Sequence, residues 1–370
     1  MILKNATLLC GEDFEVVKGY IAIEEGKIKE IGEGRCPYRR AIDLKRGLVV
    51  PSFTNAHIHL GDAVAQDYGI YESLVKRVGP GGLKFQVHGR DEEELRRGIR
   101  DALNEMLIKG TTAFCDFREG GVEGVKLLRS ALIRGQDAVI LGRPAKDPGI
   151  ETDVEVEVER LLGVCDGVGI SAVADCPWEE LEKISRAARK EKKLLGIHVA
   201  EVEDDVETAL RLRPSFVVHA TNISEESREL LLDAKVPVVL CPRANAVLGA
   251  GMPDLRLMEE TLVALGTDNV MVNSTSMLRE MEFAFKVARG MRKDPSFDAA
   301  EVLRAATVNG RKILGLEVNS LEEGRTADLL ILGKRKYIYD PVVAIIHRYE
   351  AGDVRGVVKG GKFFFRRFST

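Results

Sequence analysis

Between residues 52 and 267 the chain alternates between two kinds of segment. Short apolar, β-branched runs recur at Ser52–His59, Thr111–Phe117, Asp137–Arg143, Gly167–Val173, Leu194–Ala200, Phe216–Ala220, Val236–Cys241 and Val263–Thr267. Between most of them lie charged segments with helical spacing of their apolar residues: Asp91–Lys109, Val122–Arg134, Val154–Leu162, Trp178–Lys192, Val202–Leu212 and Ser224–Ala234. Each run is nearly continuous in hydrophobicity, as a parallel strand covered on both faces must be. Eight β/α units in this length predict an α/β protein of the TIM (β/α)8 barrel type. An open doubly wound sheet competes, because periodicity alone does not distinguish a closed sheet from an open one.

The two ends follow another pattern. Met1–Cys10, Val16–Glu24, Lys27–Ile31 and Ala41–Val50 alternate or run apolar between glycines, and so do Ala327–Leu332, Val354–Lys359 and Lys362–Phe368. Two strand-rich ends around a different middle predict one small β domain drawn from both termini. The expected division is 1–50 with 319–370 for that domain and 51–318 for the barrel.

Composition narrows the function classes. A net charge of −4 over 370 residues gives no pull toward nucleic acid or an anionic membrane. No apolar run approaches the ~20 residues that cross a bilayer, and the first residues turn acidic too soon for a secretion signal. Six scattered cysteines without a Cys-x-x-Cys pair fit reduced thiols and a cytoplasmic address. A small-molecule substrate is the expected partner, and a homo-oligomer is compatible with the sequence.

The histidines carry most of the remaining information. His57 and His59, two apart at the end of the first run, point to the same side of a strand. In a barrel that side is inward, at the C-terminal rim where barrel active sites form. His198 and His219 end the fifth and sixth runs, and Asp268 follows the eighth. One strand-end histidine is ordinary packing. Four of the six histidines and an aspartate at the same rim are not, since buried imidazoles and a carboxylate are costly without a cation or mutual pairing. Three histidines and one aspartate suit one divalent metal per chain, zinc first and iron(II) second. Glu201, three residues after His198, is placed to move a proton at such a site. As a first-turn residue of the helix expected over Val202–Leu212, it would instead favour the helix dipole.

The stretch Pro51-Ser52-Phe53-Thr54-Asn55-Ala56-His57-Ile58-His59 resembles the strand-one signature of the amidohydrolase superfamily. His198-Val199-Ala200-Glu201, Cys241-Pro242-Arg243-Ala244-Asn245, Gly266-Thr267-Asp268, Met277-Leu278-Arg279-Glu280-Met281 and the tail Ser320–Leu329 resemble its cytosine deaminase and chlorohydrolase branch in order and spacing. The resemblance implies a barrel carrying a β-sandwich made from both termini. It also implies hydrolytic release of ammonia, or occasionally chloride, from a heterocyclic substrate. By position, His57, His59, His198 and Asp268 would bind the metal. His219 would hold the attacking water, Glu201 would carry its proton to a ring nitrogen, and Asp268 would accept a proton.

Two departures bear on substrate. Ala244 stands where the branch usually has Ser, and the segment from His59 to Asp91 lacks the aromatic, leucine-rich pattern of many nucleoside deaminases. The fourth run has no Lys to bridge two metals. Arg118, Arg143 and Arg243, after the second, third and seventh runs, are candidates for a substrate's polar appendage. His88, in the first long loop, is a candidate cap, and His347 is expected in the terminal β domain. A cyclic amidohydrolase, a chlorohydrolase and a non-catalytic metal-binding barrel are the competing readings.

Overall fold

The computed structural model of the chain describes residues 1–79, 81–88, 90–144 and 153–368. Eight parallel strands follow one another in sequence order: Phe53–His59, Thr111–Arg118, Asp137–Gly142, Gly167–Ile170, Leu194–Val199, Phe216–His219, Val238–Leu240 and Val263–Leu265. The eighth strand breaks at Gly266-Thr267 and resumes as Asp268–Asn269. Its first part pairs with the seventh strand, and its second part places Asp268 opposite Ile58 and Asn269 opposite His59 of the first strand. The split strand closes the ring, which decides for the barrel over the open sheet.

The break has a local cause. A Cβ on Gly266 would sit 2.7 Å from the His57 Cβ and 2.8 Å from the His57 carbonyl oxygen, so only glycine permits this approach. The next residue is clamped by Asn55, whose Nδ2 donates to Thr267 Oγ1 at 2.7 Å and whose Oδ1 accepts from the Thr267 amide at 2.9 Å.

Burial explains the sequence pattern. Every residue of Phe53–His59 and Thr111–Arg118 is buried, because helices cover one face and the barrel interior the other. The interior is filled by Ala56, Phe117, Leu141, Phe216, Val218 and Val239 among others. The helices carry the expected caps. Asp91 accepts from the Glu94 amide at the start of Glu92–Ile108, and Ser224 accepts from the Ser227 amide at the start of Glu225–Ala234. One expected helix is shorter than its charge pattern suggests: it runs over Val206–Arg211, not from Val202. Asp205 turns back to accept from the Ala200 amide at 2.8 Å, and Asp204 accepts from the Ser224 amide at 2.8 Å. These bonds hold the residues after the fifth strand as a loop.

Both termini build one seven-stranded sheet, in the order Lys362–Arg366, Val354–Lys359, Leu329–Leu332, Ile42–Pro51, Ile2–Cys10, Glu15–Glu24, Lys27–Glu33. Ile42–Pro51 joins the halves, pairing in parallel with Ile2–Cys10 and antiparallel with Leu329–Leu332. The halves share a core of Leu3, Leu8, Ile21, Ile23, Leu329 and Ile331. An ion network, buried at Arg311 and Asp328, links this sheet to the barrel. Arg311 Nη2 lies 2.9 Å from Asp328 Oδ2 and 3.1 Å from Asp137 Oδ2, and Lys359 pairs with both aspartates. His347 lies on a helix, Pro341–Arg348, with its ring 4.9 Å from that of Phe285 on a barrel helix. Its side chain is exposed beside that ring, on a helix and not in a strand of the terminal sheet. Among the described residues no helix is long and apolar enough to cross a membrane.

Candidate active site

The rim at the C-terminal strand ends gathers the residues that the spacing singled out. His57 and His59 come from the first strand, His198 from the fifth, His219 from the sixth and Asp268 from the split eighth. The His57 ring is central, 4.8 Å between centroids from both His59 and His198 and 5.7 Å from His219. Asp268 Oδ1 lies 3.3 Å from His57 Nε2 and 3.5 Å from His59 Nε2. Three overlapping trios have their ligating atoms within 4.8 Å of one another: His57, His198 and His219; His57, His59 and Asp268; and Glu201, His219 and Asp268.

The cluster fits a cation. His57 Nδ1 and Nε2, His59 Nδ1, His198 Nε2 and His219 Nε2 are buried without a hydrogen-bond partner. Each such atom costs about 1–3 kcal/mol, a cost that a shared metal ion would offset at one nitrogen each of His57 and His198 by taking its lone pair. Burial holds His57 down at about 3 and His198 well below the ordinary imidazole value, so both are neutral and able to ligate. Asp268 is buried, yet contact with His57 and the neighbouring His219 and His59 keeps it well below the usual carboxylate range. Beneath the imidazoles lies the Phe117 ring, 4.5 Å from His57 and 5.1 Å from His198. It packs on Gly169 and Gly196, where a Cβ would meet it at 2.5 and 2.6 Å. The floor is therefore apolar, and the fourth strand, Gly167–Ile170, offers no ligand for a second ion.

Backbone strain collects at this rim. Ala200, His219 and Asp268 have φ of +49°, +78° and +58°, a region that costs a non-glycine residue about 1–2 kcal/mol. Local hydrogen bonds hold these conformations. The Asn222 amide donates to the Ala200 carbonyl at 2.7 Å, and its side chain donates to the Glu201 carbonyl at 2.8 Å. Glu201 consequently faces the cavity, with Oε2 3.8 Å from His219 Nε2. Burial and the nearby Asp268 raise its carboxyl pKa, against the pull of His219.

Sequence reasoning missed three supports. Asn245 Nδ2 lies 3.3 Å from His219 Nδ1. An amide nitrogen can only donate, so Nδ1 accepts and the ring proton is on Nε2, toward Glu201. Glu119 Oε1 lies 3.5 Å from His59 Nδ1 and 3.1 Å from Lys84 Nζ. Burial alone would lower His59, but Glu119 and Asp268 raise it to about 9; a cation held at Nε2 would take the place of that proton. Glu280, fully buried, accepts from the Arg243 amide at 3.0 Å. Asn245 and Glu280 stood in motifs read from the sequence without an assigned contact. Glu119 and Lys84 had no local signal, because their meeting is purely tertiary.

A cavity of about 410 Å³ opens onto the cluster. His59, His198, Glu201, His219 and Asp268 line it, and Arg143 stands in its wall with Nη1 2.8 Å from Ser171 Oγ. The other two candidate arginines point elsewhere. Arg118 Nε donates to the Glu119 carbonyl at 3.2 Å, and Arg243 is engaged with Glu280 and Ser274. The His88 side chain lies outside the described residues.

The sequence profile of the amidohydrolase family matches residues 48–364. The chain belongs to the amidohydrolase family. A protein of Methanothermobacter thermautotrophicus, provisionally named an aminohydrolase, is 35% identical over 390 aligned positions covering 99% of each chain. A 5-methylthioadenosine/S-adenosylhomocysteine deaminase of Pyrococcus abyssi is 27% identical, covering 98% of this chain and 93% of its own. The solved structure of a Xanthomonas campestris adenosine deaminase with bound zinc superposes with a TM-score of 0.83 at 20% identity, covering 99% of this chain and 92% of the other. This amidohydrolase is thus an enzyme that hydrolyses C–N bonds on a barrel fold shared with deaminases, and its cluster suits a divalent metal.

The close packing of Gly266 on His57 gives a first test. Gly266→Ala should lose roughly 1–3 kcal/mol through overpacking and bind zinc more weakly, since the added methyl displaces His57. A variant with unchanged melting temperature and zinc content would show that the break in the eighth strand is tolerant of bulk.

Proposed function

We propose that this amidohydrolase is a single-metal aminohydrolase releasing ammonia from a purine- or pyrimidine-type base or nucleoside. His57, His59, His198 and Asp268 would hold the ion, zinc first and iron second. His219 is the donor of a hydrogen bond and not a ligand, because Asn245 occupies Nδ1 and leaves the proton on Nε2. When bound, the ion supplies Lewis acidity that makes water a nucleophile near neutral pH.

The observation that carries the reading is geometric: Glu201, His219 and Asp268 line one cavity with their ligating atoms within 4.8 Å of one another, and Glu201 stands at the edge with Oε2 3.8 Å from His219 Nε2. Burial raises the Glu201 carboxyl while the neighbouring histidines hold Asp268 low. Such a pair separates roles. Asp268 remains anionic and serves first as a ligand. Glu201 can take a proton from the water and return it to a ring nitrogen beside the reacting carbon. His219 Nε2–H steadies the incoming oxygen. With the ring nitrogen protonated, the new hydroxyl's proton passes by way of Asp268 to the amino group, which leaves as ammonia when the tetrahedral centre collapses. The helix-start reading of Glu201 loses its basis, since the helix begins at Val206. A purely structural metal site gains nothing from a cavity-facing carboxyl of raised pKa, which sets aside the scaffold reading. Arg143 at the wall suits a substrate with a polar appendage, as a nucleoside or a thioether derivative has.

The test is ammonia release from zinc-loaded protein across bases, nucleosides, triazines and cyclic amides. Turnover of an adenine- or guanine-type compound is expected. Reaction confined to the cyclic amides overturns the aminohydrolase reading and leaves the metal barrel standing.

A further inference from the structure

Leu74, Val75, Val78, Gly79 and Lys84, between the first strand and the helix Glu92–Ile108, form a roof on one side of the cavity. Leu74, Val75 and Val78, from a short helix over Leu74–Val78, contribute apolar surface, and Lys84, from a second over Leu83–His88, reaches the same space. Much of this roof is open to solvent, with Tyr71 fully exposed and Val75 59% exposed. Two of its cations are not. Arg77 is fully buried and donates through Nη2 to the Met271 carbonyl at 2.8 Å, just past the closing strand Asp268–Asn269. Lys84 is only 5% exposed, with Nζ 3.1 Å from Glu119 Oε1.

Burying a lysine is expensive unless its charge is met. Burial here would lower its pKa, but Glu119 and Asp62 outweigh that and keep the ammonium charged. The same Glu119 oxygen that meets Lys84 also lies 3.5 Å from His59 Nδ1, on the far side of the ring from Asp268. A carboxylate at the outer nitrogen of a ligating histidine fixes the ring's orientation and tautomer. What is particular to this chain is that the carboxylate is itself held by the roof.

We infer that Lys84 is a positioning residue: through Glu119 it fixes His59, so the grip on the metal depends on the roof being seated over the cavity. This rests on the reading of His59 as a ligand. Lys84, Glu119 and His59 thus form one relay from the roof of the cavity to the metal ligands, which ties the seating of the roof to the integrity of the site.

The experiment is zinc release from the loaded full-length protein into excess 4-(2-pyridylazo)resorcinol, followed by absorbance. Lys84→Met and Glu119→Gln should each speed release by about 10–100-fold, the scale for losing an outer partner of a ligand. The double variant should release zinc no faster than the quicker single variant, because both changes cut one relay. Merely structural damage would add, and additive rates overturn the inference. Release at the wild-type rate from Lys84→Met also overturns it. If Lys84→Met fails to fold, Glu119→Gln tests the relay from the barrel side with the side chain's shape kept, and wild-type release from it is equally decisive. Wild-type protein that takes up no zinc overturns the metal reading itself, an outcome separate from zinc-loaded variants that behave normally.

Discussion

Glu201→Gln is expected to lower kcat by about 10²–10⁴-fold, the range for loss of general acid–base catalysis, while zinc content and fold stay as in the wild type. The side chain keeps its shape, and it lies at the edge of the cluster, 3.8 Å from His219. Its backbone is held independently by the Asn222 side chain at 2.8 Å. What is removed is the capacity to accept a proton and return it. The amide can accept a hydrogen bond from the water but cannot take its proton at neutral pH. Steady-state ammonia release with parallel metal analysis checks this. Near-normal kcat would return Glu201 to a structural part and pass the proton traffic to Asp268.

His57→Ala should abolish turnover by removing the metal. His57 belongs to two of the three trios of close ligating atoms and stands at the centre of the imidazole cluster. Loss of an outer partner of a ligand already weakens metal affinity by about 10–100-fold, so loss of the ligand itself should exceed that. The expected result is less than one equivalent of zinc after dialysis against a weak chelator, with one equivalent retained by the wild type. The two variants separate the roles: Glu201→Gln is loaded and inactive, His57→Ala empty and inactive. Full zinc retention by His57→Ala would move the metal site to His219, Glu201 and Asp268.

Strand-end chemistry was the most legible part of the molecule. His57, His59, His198, His219 and Asp268 reach one rim because parallel strands of a barrel end together, and period-two spacing orients a pair without further information. The eight strands were legible for a similar reason, since burial on both faces writes itself as continuous hydrophobicity. The start of the helix at Val206 was not, because the acidic run before it reads as a first turn until Asp204 and Asp205 are seen to bond elsewhere. Arg118 and Arg243 were placed by strand position alone, and their direction is set by Glu119, Glu280 and Ser274. Position along a strand predicts which end of the barrel a residue occupies; it does not predict the rotamer of a long cation. The relay through Lys84 and Glu119 joins residues 35 apart across a roof without periodicity, so no local pattern could announce it.

The seven-stranded sheet has a consequence for how the molecule is made. Ile42–Pro51 finds its antiparallel neighbour in Leu329–Leu332, which leaves the ribosome only after the whole barrel. Throughout translation of the barrel, one backbone edge of Ile42–Pro51 has no partner strand, and Leu48, Val49 and Val50 stay without their final cover. Contacts this distant in sequence form slowly, and an unpaired apolar edge invites pairing with another chain. The nascent chain is therefore exposed to aggregation longest at its N-terminal strands, and the strands from Leu329 onward act as the closing clasp.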